Sequence, residues 1–526
     1  MSNNLAGNYY LANDIDCSSI SNFQPIACSG IVHFSGIFDG RNHRISNLTI
    51  NNMNHWHTGI FCSVVGGEIK NVGVVNANVS GLNNGAVFAA NISSSNISNS
   101  YVTGNVSSVL SAAGFAVNIS NTTITNCYST AKVSGDGAYV GGLAGNASNS
   151  TAINTYWDME ASGQTTSALG EGKTTAEMKK QTTFENWGFD NSLWCIREGI
   201  TYPNFCSSFS WNLITNCNEL QNMRNNLSAN YQLANDIDCS SLNFDPIGQS
   251  FPNAFSGYFD GKNHTINNLV INYPNYDYVR GLFMITVGAT IQNVKLNNVN
   301  INGGGRGVGA LVGYAHAKTS IYNCSVSGTL KDQATNPYSS SLGGLVGTLD
   351  GKSTVNACHS NVNVYGVGAS VGGIAGTITE ASSVINSYAS GTVTGTNNVG
   401  GLVGYAYAKA KISNSYSTAS VSGKDNVGGL VGVRNDKTEV SSCYATGTVT
   451  GNSNVGGLEG YVNGTSTLSS SYAMGTVNGG SNVGGLVGYL YSGSGISDSF
   501  SVSSVNGSGS AVGGLVGYAR DDAKIS

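Results

Sequence analysis

Short hydrophobic runs, interrupted at close intervals by Gly, Asn and Ser, follow one another along the whole chain. Within residues 399–424, three such runs have the length and the β-branched or aromatic content of strands: Val399 to Tyr405, Lys411 to Tyr416 and Thr418 to Ser422. Turn-forming residues separate them. The pattern predicts three short strands in each unit.

The unit recurs with a regular period. A Gly-Gly-Leu-Val-Gly sequence or a close variant begins at Gly309, Gly343, Gly372, Gly400, Gly428, Gly456, Gly484 and Gly513, so the steps after Gly343 are 28 or 29 residues. Three strands of about five residues with their turns fill one coil of a parallel β-helix, whereas a propeller blade needs about 40–45 residues. We therefore predict an all-β fold, a right-handed parallel β-helix with about 28 residues per three-stranded coil.

Coil stacking places equivalent side chains above one another, about 4.8 Å apart. In the glycine strand both faces look suitable for burial, and we favour Leu402 inward. Ile412 and Ser415 can both point inward only if the chain bends near Asn414. Two ladders are predicted, one of Tyr388, Tyr416, Tyr444, Tyr472 and Phe500, the other of Asn386, Asn414, Ser442, Ser470 and Asp498.

The chain contains two homologous modules. Residues 4–19 return almost unchanged at 226–241, and the offset of 221 or 222 residues holds through Phe38 to His43 and Phe259 to His264. We assign residues 1–206 to the first module, with a Trp-rich capping segment at about 155–206 that contains Trp157, Trp187 and Trp194. Residues 207–526 form the second module, with a lead-in at 207–308 and regular repeats at 309–526.

The ends of the arrays differ. A capping box at Thr174 and Glu177 predicts a short helix through about Thr182 in the first module. The second module stops in mid-coil without such a cap, so we expect a C-terminally truncated fragment, which exposes core and strand edges and favours self-association through uncapped coils.

Composition excludes some functions. The chain has 71 Gly, only 6 Pro and 10% charged residues, and its net charge of −5 is spread without basic clusters, which argues against nucleic-acid partners. No apolar run reaches the roughly 20 residues of a membrane span, and the first residues do not have the features of a signal peptide. We expect no membrane insertion.

The cysteines divide into two groups. Four stand at a repeat position that Ser387, Ser415 and Ser471 occupy in other coils, which favours small, stacked, free thiols: Cys127, Cys324, Cys358 and Cys443. Cys195, Cys206 and Cys217 lie outside the regular repeats, and one pair among them could form a disulfide in an exported protein.

Paired carboxylates are the strongest candidates for chemistry. Asp14 with Asp16, and Asp236 with Asp238, could bind calcium or act in glycoside hydrolysis. Their duplication favours a fold-building role instead. The Asp39-Gly40 and Asp260-Gly261 pairs indicate tight turns, which His43 and His264 complete.

Other candidates give weaker signals. His55 and His57 flank Trp56 and could hold a metal, but no third ligand is near in sequence and a surface loop is favoured. Asn47, Asn118 and Asn146 begin Asn-x-Ser/Thr sequences that a Ser- and Asn-rich chain contains by composition. The glycine motif is not followed by the Lys-Ser/Thr of a phosphate loop. We predict no catalytic, cofactor-binding or metal-binding residues.

The repeat core resembles that of the bacterial GLUG-motif proteins, as at Gly401-Leu402-Val403-Gly404 and four further sites, and the lead-in resembles the segment that precedes such arrays in large surface proteins. The resemblance implies a cell-surface adhesin, or the appendage of a secreted zinc peptidase that cleaves immunoglobulin A. That peptidase requires His-Glu-x-x-His, and the chain contains no His-Glu pair. Cys17, Cys239 and Glu459 depart from the aliphatic residues that the resemblance implies.

Three functions follow as hypotheses. The first is a non-catalytic, extracellular or cell-surface adhesin or stalk, presenting loops at His55, 250–254 and 331–337 to a host or surface ligand, either protein or glycan. The second is a polysaccharide-active β-helix enzyme, a lyase or tailspike-like hydrolase, by analogy of fold alone. The third is a self-assembling fibre component. The sequence favours the first and predicts that the chain is not an enzyme.

Overall fold

The computed structural model describes residues 1–28, 31–184, 186–189, 193–197, 199–208, 211–277, 279–332, 341–367, 370–491, 493–520 and 522–526. The chain forms two compact units, Met1–Ser210 and Trp211–Ser526. Both are parallel β-solenoids, and together they contain about 17 turns of about 28 residues. The predicted all-β parallel β-helix is confirmed.

In unit 1, Met1–Ser210, parallel strands of successive coils pair in three sheets, and one antiparallel pair follows. The first sheet comprises Tyr9–Tyr10, Ile15–Asp16, Ile37–Ser46, Thr49–Asn52, Glu68–Gly81, Asn96–Ser98, Tyr101–Ser108, Thr123–Thr125, Tyr128–Ser129, Lys132–Ser134, Thr151–Ile153, Tyr156–Asp158 and Glu171–Lys173. The second comprises His57–Thr58, Asn84–Ala86, Ser111–Ala113 and Val140–Gly141, and the third Phe61–Val65, Ala89–Ser93, Ala116–Ser120 and Ala144–Ser148. The antiparallel pair is Trp194–Cys195 with Asn204–Phe205, the α-helix is Met159–Ser162, and the 3₁₀ turns are Glu177–Lys179, Gln181–Phe184 and Cys206–Ser208.

In unit 2, Trp211–Ser526, four parallel sheets run along the array. The first comprises Trp211–Ile214, Asn230–Leu233, Tyr258–Asp260, Thr290–Gln292, Ser320–Tyr322, Thr354–Asn356, Ser383–Ile385, Lys411–Ser413, Glu439–Ser441, Thr467–Ser469, Gly495–Ser497 and Lys524–Ile525. The second comprises Ile237–Asp238, Thr265–Asn267, Val270–Asp277, Lys295–Gly304, Ser325–Lys331, His359–Tyr365, Tyr388–Ser390, Thr392–Thr394, Tyr416–Ser417, Ser420–Ser422, Tyr444–Ala445, Val449–Thr450, Tyr472–Ala473, Thr476–Gly479, Phe500–Ser501 and Ser504–Gly507.

The remaining two sheets of unit 2 contain the glycine motif. One comprises Phe283–Val287, Val312–His316, Val346–Leu349, Ala375–Ile378, Val403–Ala406, Val431–Arg434, Glu459–Val462, Val487–Leu490 and Val516–Ala519. The other comprises Val308–Gly309, Ser341–Gly343, Ser370–Gly372, Asn397–Gly400, Asp425–Gly428, Ser453–Gly456, Ser481–Gly484 and Val512–Gly513. The helical segments are the α-helix Cys217–Asn222 and the 3₁₀ turns Met223–Asn225 and Phe251–Asn253.

The glycine motif is not the single strand that the sequence suggested. The chain leaves one sheet after Gly400 and enters the next at Val403, with Gly401 and Leu402 at the corner. Since the two strands lie in different sheets, Val399, Leu402 and Val403 are all fully buried. Leu402 points inward as favoured, and the apparent conflict between the two faces disappears.

Close stacking explains the glycines. A Cβ on Gly401 would overlap the carbonyl oxygen of Gly429 in the next coil and the hydroxyl of Ser417. The same overlap recurs from Gly429 to Gly457 and from Gly457 to Gly485. The motif is therefore a requirement of coil-to-coil contact, as interior packing leaves no room for an added methyl group.

The predicted bend and ladders are also present. Asn414 has a φ of 49°, and the other members of its ladder also have positive φ angles. One strand ends at Ser413 and the next begins at Tyr416. The side chain of an Asn tolerates this left-handed conformation better than most. Tyr388 pairs with Tyr416, Tyr416 with Tyr444, Tyr444 with Tyr472 and Tyr472 with Phe500.

The Trp-rich segment of unit 1 has two parts. Trp157 packs into the main core of unit 1 beside Gly142, whereas Trp187 and Trp194 belong to a separate aromatic cluster against Tyr101 and Tyr128. Thr174 and Glu177 exchange the hydrogen bonds of a capping box, but they open two short 3₁₀ turns rather than an α-helix. The prediction of a helix through Thr182 is corrected accordingly.

The cysteines follow the sequence grouping. Cys127, Cys324, Cys358 and Cys443 are free and buried, as is Cys17. Cys195 bonds to Cys206, which is a pair within the predicted set. Two further disulfides, Cys28–Cys62 and Cys217–Cys239, join residues that the sequence did not connect.

Candidate functional site

The carboxylates Asp16 and Asp238 begin side-chain ladders. Asp16 Oδ1 accepts a hydrogen bond from Asn47 Nδ2 at 2.9 Å, and Asn47 Oδ1 in turn accepts one from Asn76 at 2.7 Å. Asp238 Oδ1 accepts from Asn268 Nδ2 at 2.9 Å in the same way. Both aspartates also accept the backbone N–H two residues later, from Ser18 and Ser240. They are parts of the turn stack, as the duplication suggested.

Asp14 and Asp236 fix the following coil. Asp14 Oδ1 lies 3.1 Å from His43 Nδ1, and its Oδ2 accepts two hydrogen bonds from the Arg44 guanidinium at 3.0 and 3.2 Å. Partial burial works against ionisation, but the bonds from Arg44 and His43 hold the pKa of Asp14 below its usual value. In unit 2, Asp236 contacts the Thr265 N–H and His264 Nδ1, which lower the pKa of Asp236.

These shifts predict acid-sensitive stability. The hydrogen bond from Asn268 and those from Ser240 also lower the pKa of Asp238, so the stability that these carboxylates contribute is present above about pH 4 and is lost as the pH falls through their lower folded-state pKa values. We expect the double variant Asp236→Asn, Asp238→Asn to show a shallower fall in melting temperature between pH 4 and pH 2 than the unmodified chain. Thermal melts monitored by circular dichroism measure this, with Asp436→Asn at an exposed turn as control. An unchanged pH profile in the double variant would contradict the assignment.

The Asp-Gly turns serve the same architecture. Asp39 Oδ1 accepts the Arg41 N–H at 2.8 Å and the Asn71 amide at 3.1 Å. Asp260 Oδ1 accepts the Lys262 N–H at 2.8 Å and the Asn293 amide at 3.0 Å. Each aspartate thus closes its turn and starts another ladder. The His264 N–H also donates to the Gly261 carbonyl at 2.8 Å and so completes its turn as predicted, while the imidazoles of His43 and His264 contact Asp14 and Asp236.

The His55 loop does not assemble a metal site in the described structure. Trp56 is 70% exposed, and His57 Nδ1 lies 3.2 Å from the Asn84 amide, whose nitrogen is no metal ligand. Burial lowers the pKa of His57. Within the described residues, no group of three or more His, Cys, Asp or Glu side chains has the geometry to hold a metal ion.

The loop at 250–254 is part of a cluster that the sequence did not indicate. Phe251, which is 55% exposed, packs edge-to-face against Tyr314 and His316. The Tyr314 hydroxyl donates to Asp350 Oδ2 at 2.6 Å, and His316 Nδ1 lies 3.0 Å from the same oxygen. Burial and the hydrogen bond to Asp350 raise the pKa of Tyr314. In the sequence, the one indication of this cluster is that Tyr314 and His316 stand two residues apart, on one face of a strand. Residues 333–337 of the third predicted loop lie outside the described residues.

A polar groove of about 550 Å³ lies on the second sheet of unit 2, and we call it the lead-in groove. Its ionisable side chains are Asp236, Lys295 and His359, and burial lowers the pKa of His359. The rest of the lining is Thr265, Asn267, Leu296, Asn297, Ser325, Val326, Ser327, Asn361, Tyr388 and Ser390. Its many hydroxyl and amide groups can bind a polar surface of a macromolecule.

Glu459, the charged residue within one motif, is paired inside the core. Its carboxylate oxygens lie 2.9 Å from Nε and Nη2 of Arg434, and both side chains are almost completely buried. Arg434 also donates to the carbonyl oxygens of Thr438 and Thr467. Burial raises the pKa of Glu459, and Arg434 opposes that rise. The sequence identified Glu459 as a departure but not its partner.

Comparisons with known proteins match parts of the chain to two protein families. Residues 211–328 match the N-terminal region of the M26 IgA1-specific metallo-endopeptidases, and residues 395–422 and 425–450 match the GLUG motif. The chain is 30% identical to an immunoglobulin A1 protease of Streptococcus sanguinis over 35% of its own length and 11% of the relative's. It is 29% identical to an immunoglobulin A1 protease of Streptococcus pneumoniae (strain ATCC BAA-255 / R6) over 43% of its length and 12% of the relative's.

The chain therefore spans about an eighth or less of the length of these relatives. Among solved structures, one titled IgA1 Protease aligns with 54% of this chain and 21% of that chain, at 20% identity and a TM-score of 0.34, a likeness too low to support an argument. Within the described part of the chain, no helix combines the length and apolarity required to span a bilayer.

The prediction that the chain is not an enzyme is contradicted by these relatives. It rested on the missing His-Glu-x-x-His sequence, yet the matched family is one of metallo-endopeptidases and both relatives are named proteases. A motif missing from one region does not define the activity of a protein to which that region is related. The predicted resemblance is confirmed: residues 395–422 and 425–450 match the GLUG motif, and residues 211–328 are similar to the N-terminal region of the M26 IgA1-specific metallo-endopeptidases.

Proposed function

We propose that this chain is a binding region of an exported or surface protein of the immunoglobulin A1 protease type, and that the lead-in groove contacts the antibody substrate. The observation that carries the proposal is the family match over residues 211–328, which includes Asp236, Lys295 and Ser325 to Ser327 of the groove. The relatives' names supply the class of substrate.

Two features of the chain support this proposal. Three disulfides favour an oxidising compartment, because cytosolic thiols are kept reduced. The groove combines one acidic residue, one basic residue and a histidine with several Asn and Ser side chains, a polar mixture suited to a protein surface. The carboxylates Asp14, Asp16 and Asp238 are held in hydrogen bonds that stabilise turns, which gives polysaccharide hydrolysis no support.

The test is binding of the full chain to immunoglobulin A1, with immunoglobulin G as the comparison, by surface plasmon resonance. We expect selective binding to immunoglobulin A1 that weakens about tenfold in the triple variant Lys295→Ser, His359→Ser, Asn361→Ala, because a few residues near the centre of an interface contribute most of its affinity. The matched control is Lys352→Ser with Lys409→Ser, on the turns of the same unit. Equal binding to both antibodies, or a groove variant with unchanged affinity, would refute the proposal. Gel electrophoresis of the bound antibody shows whether the antibody is cleaved, and therefore whether peptidase activity accompanies binding.

A further inference from the structure

One residue position recurs in every coil of both units, on the outward face of the first sheet in unit 1 and of the second sheet in unit 2. Tyrosines at this position are covered in unit 1 and partly exposed in unit 2. In unit 1 the position is occupied by Arg44, Gly73, Tyr101, Tyr128 and Tyr156 in successive coils. In unit 2 it is occupied by Thr265, Lys295, Ser325, His359, Tyr388, Tyr416, Tyr444, Tyr472 and Phe500. Arg44 and Thr265, which begin the two series, correspond in the duplicated sequence.

In unit 1 a segment of the same chain covers the tyrosines. We define the aromatic cover as Met178, Phe184, Trp187, Trp194 and Phe205, which form one buried cluster with Tyr101 and Tyr128. Both tyrosines are 1% exposed or less. The Tyr128 hydroxyl donates to the Pro203 carbonyl at 2.6 Å, and the Cys195–Cys206 disulfide closes the covering segment.

The geometry of this contact is specific. Tyr101 and Tyr128 stack on each other at an interplanar angle of 3°, and Tyr202 of the covering segment lies nearly parallel to Tyr128, at 19° with the centroids 6.2 Å apart. Trp194 lies at 58° to Tyr101, and Phe205 lies at 59°, with centroids 5.9 and 5.4 Å away. Tilted approaches of this kind bring the positive edge of one ring to the negative face of another, which is a favourable arrangement.

In unit 2 the corresponding ladder is longer and open. We define the ladder surface as Tyr388, Tyr416, Tyr444, Tyr472 and Phe500. Adjacent centroids are 4.6 to 5.2 Å apart and the rings are within 7° of parallel. The tyrosines are half-buried, Phe500 is 54% exposed, and no aromatic segment packs on them among the described residues.

Next to the ladder surface lies a second outward row, whose composition becomes apolar toward the later coils. It contains Ser390, Thr418 and Thr446, then Met474 and Val502, which are 43% and 63% exposed. An exposed aromatic ladder beside exposed Met and Val side chains is an apolar strip of the kind that marks an interaction site on a soluble protein.

We propose that the ladder surface is a docking site for a Trp- and Phe-rich polypeptide segment of a partner protein, with the chemistry of the aromatic cover. The cover residues Trp187, Trp194 and Phe205 are themselves buried on unit 1, so they supply the chemistry of the proposed occupant and do not occupy the ladder surface themselves. A sugar chain fits less well, because stacking on a sugar requires free ring faces and the ladder rings use their faces on one another. Tyr388 also lines the lead-in groove, but Tyr416, Tyr444, Tyr472 and Phe500 do not, so this inference goes beyond antibody binding at the groove and does not depend on it.

The experiment uses the full chain and a fluorescein-labelled synthetic peptide of residues 174–208 with its disulfide formed. Fluorescence anisotropy should show saturable binding that weakens at least about tenfold in Tyr416→Ser, Tyr444→Ser, since aromatic anchors dominate such contacts. The matched control is Tyr461→Ser, Tyr489→Ser, which alters a stacked tyrosine pair on another sheet. A second peptide with Trp187, Trp194 and Phe205 changed to Ala should not bind. Circular dichroism of each variant confirms that the solenoid is folded.

Several outcomes overturn the proposal. Peptide binding that is absent, or that is equal in the ladder and control variants, removes the docking site. Binding of oligosaccharides that is lost in the ladder variant assigns the surface to glycans, and a concentration-dependent dimer lost in that variant assigns it to a second copy of the chain. A peptide that displaces the aromatic cover from unit 1 would bind the ladder variant and the control variant equally, and this outcome is therefore distinct from docking on the ladder surface.

Discussion

Replacing Glu459 by Val should lower the free energy of unfolding by about 3–5 kcal/mol, because it leaves the Arg434 guanidinium buried without its counter-charge. Arg434→Val should cost a similar amount by stranding the carboxylate. Val is the appropriate replacement for Glu459, since Val431 and Val487 occupy the equivalent position in the two adjacent coils.

The double variant Arg434→Val, Glu459→Val should instead be within about 1 kcal/mol of the unmodified chain or more stable, since apolar replacement of a whole buried pair removes its desolvation cost. Urea unfolding followed by circular dichroism gives the free energies, and hydrogen exchange of residues 431–490 locates the change, because repeat arrays do not always unfold in one step. Glu439→Val is the control: its pair with Lys411 is more than half exposed on both sides and contributes at most about 1 kcal/mol. A double variant destabilised by the sum of the two single losses would show that the two charges are not coupled.

Gly429→Ala should have the second large effect, a loss of about 1–3 kcal/mol or more. The new Cβ would overlap the carbonyl oxygen of Gly457, so adjacent coils must separate and their hydrogen bonds must lengthen. Thermal and urea unfolding measure the loss. Crowding by backbone cannot be relieved by a change of rotamer, in contrast to a clash with a flexible side chain.

Gly514→Ala provides a matched control, because Gly514 has the same place in the motif but nothing lies within 4 Å of its added Cβ. We expect its unfolding free energy to change by less than about 0.5 kcal/mol. If both substitutions cost the same, the penalty would come from the local backbone of the motif and not from coil stacking.

Most of the fold prediction was based on the periodicity of the sequence. A step of 28 or 29 residues, with like residues recurring, fixes which side chains stack, and the Tyr388-to-Phe500 ladder is found with the expected register. The corner at Gly401 was not predictable from alternation alone. Alternation assumes one continuous strand, and the change of sheet between Gly400 and Val403 breaks that assumption.

Contacts between residues at different positions of the repeat were not recoverable. Cys28 lies in a loop and bonds to Cys62 in the strand Phe61–Val65, and Arg434 reaches Glu459 because both side chains extend into the same interior. Nor does the periodicity indicate that Met178, Phe184, Trp187, Trp194 and Phe205 pack against Tyr101 and Tyr128, since these five residues lie outside the repeat. The aspartates at the lead-ins were correctly assigned to the fold because the sequence contains them twice.

The amide ladders have a direction. Each Asn donates its amide N–H to the side chain of the preceding coil, so Asn76 donates to Asn47 and Asn47 to Asp16. An Asn inside the column donates one side-chain hydrogen bond and accepts another, whereas the first member of the column only accepts. A carboxylate suits that first position, because it has no N–H donor that would lack an acceptor. Adding or deleting a whole interior coil therefore leaves every bond of the column intact. The array can change length by complete coils while its starting coil stays the same.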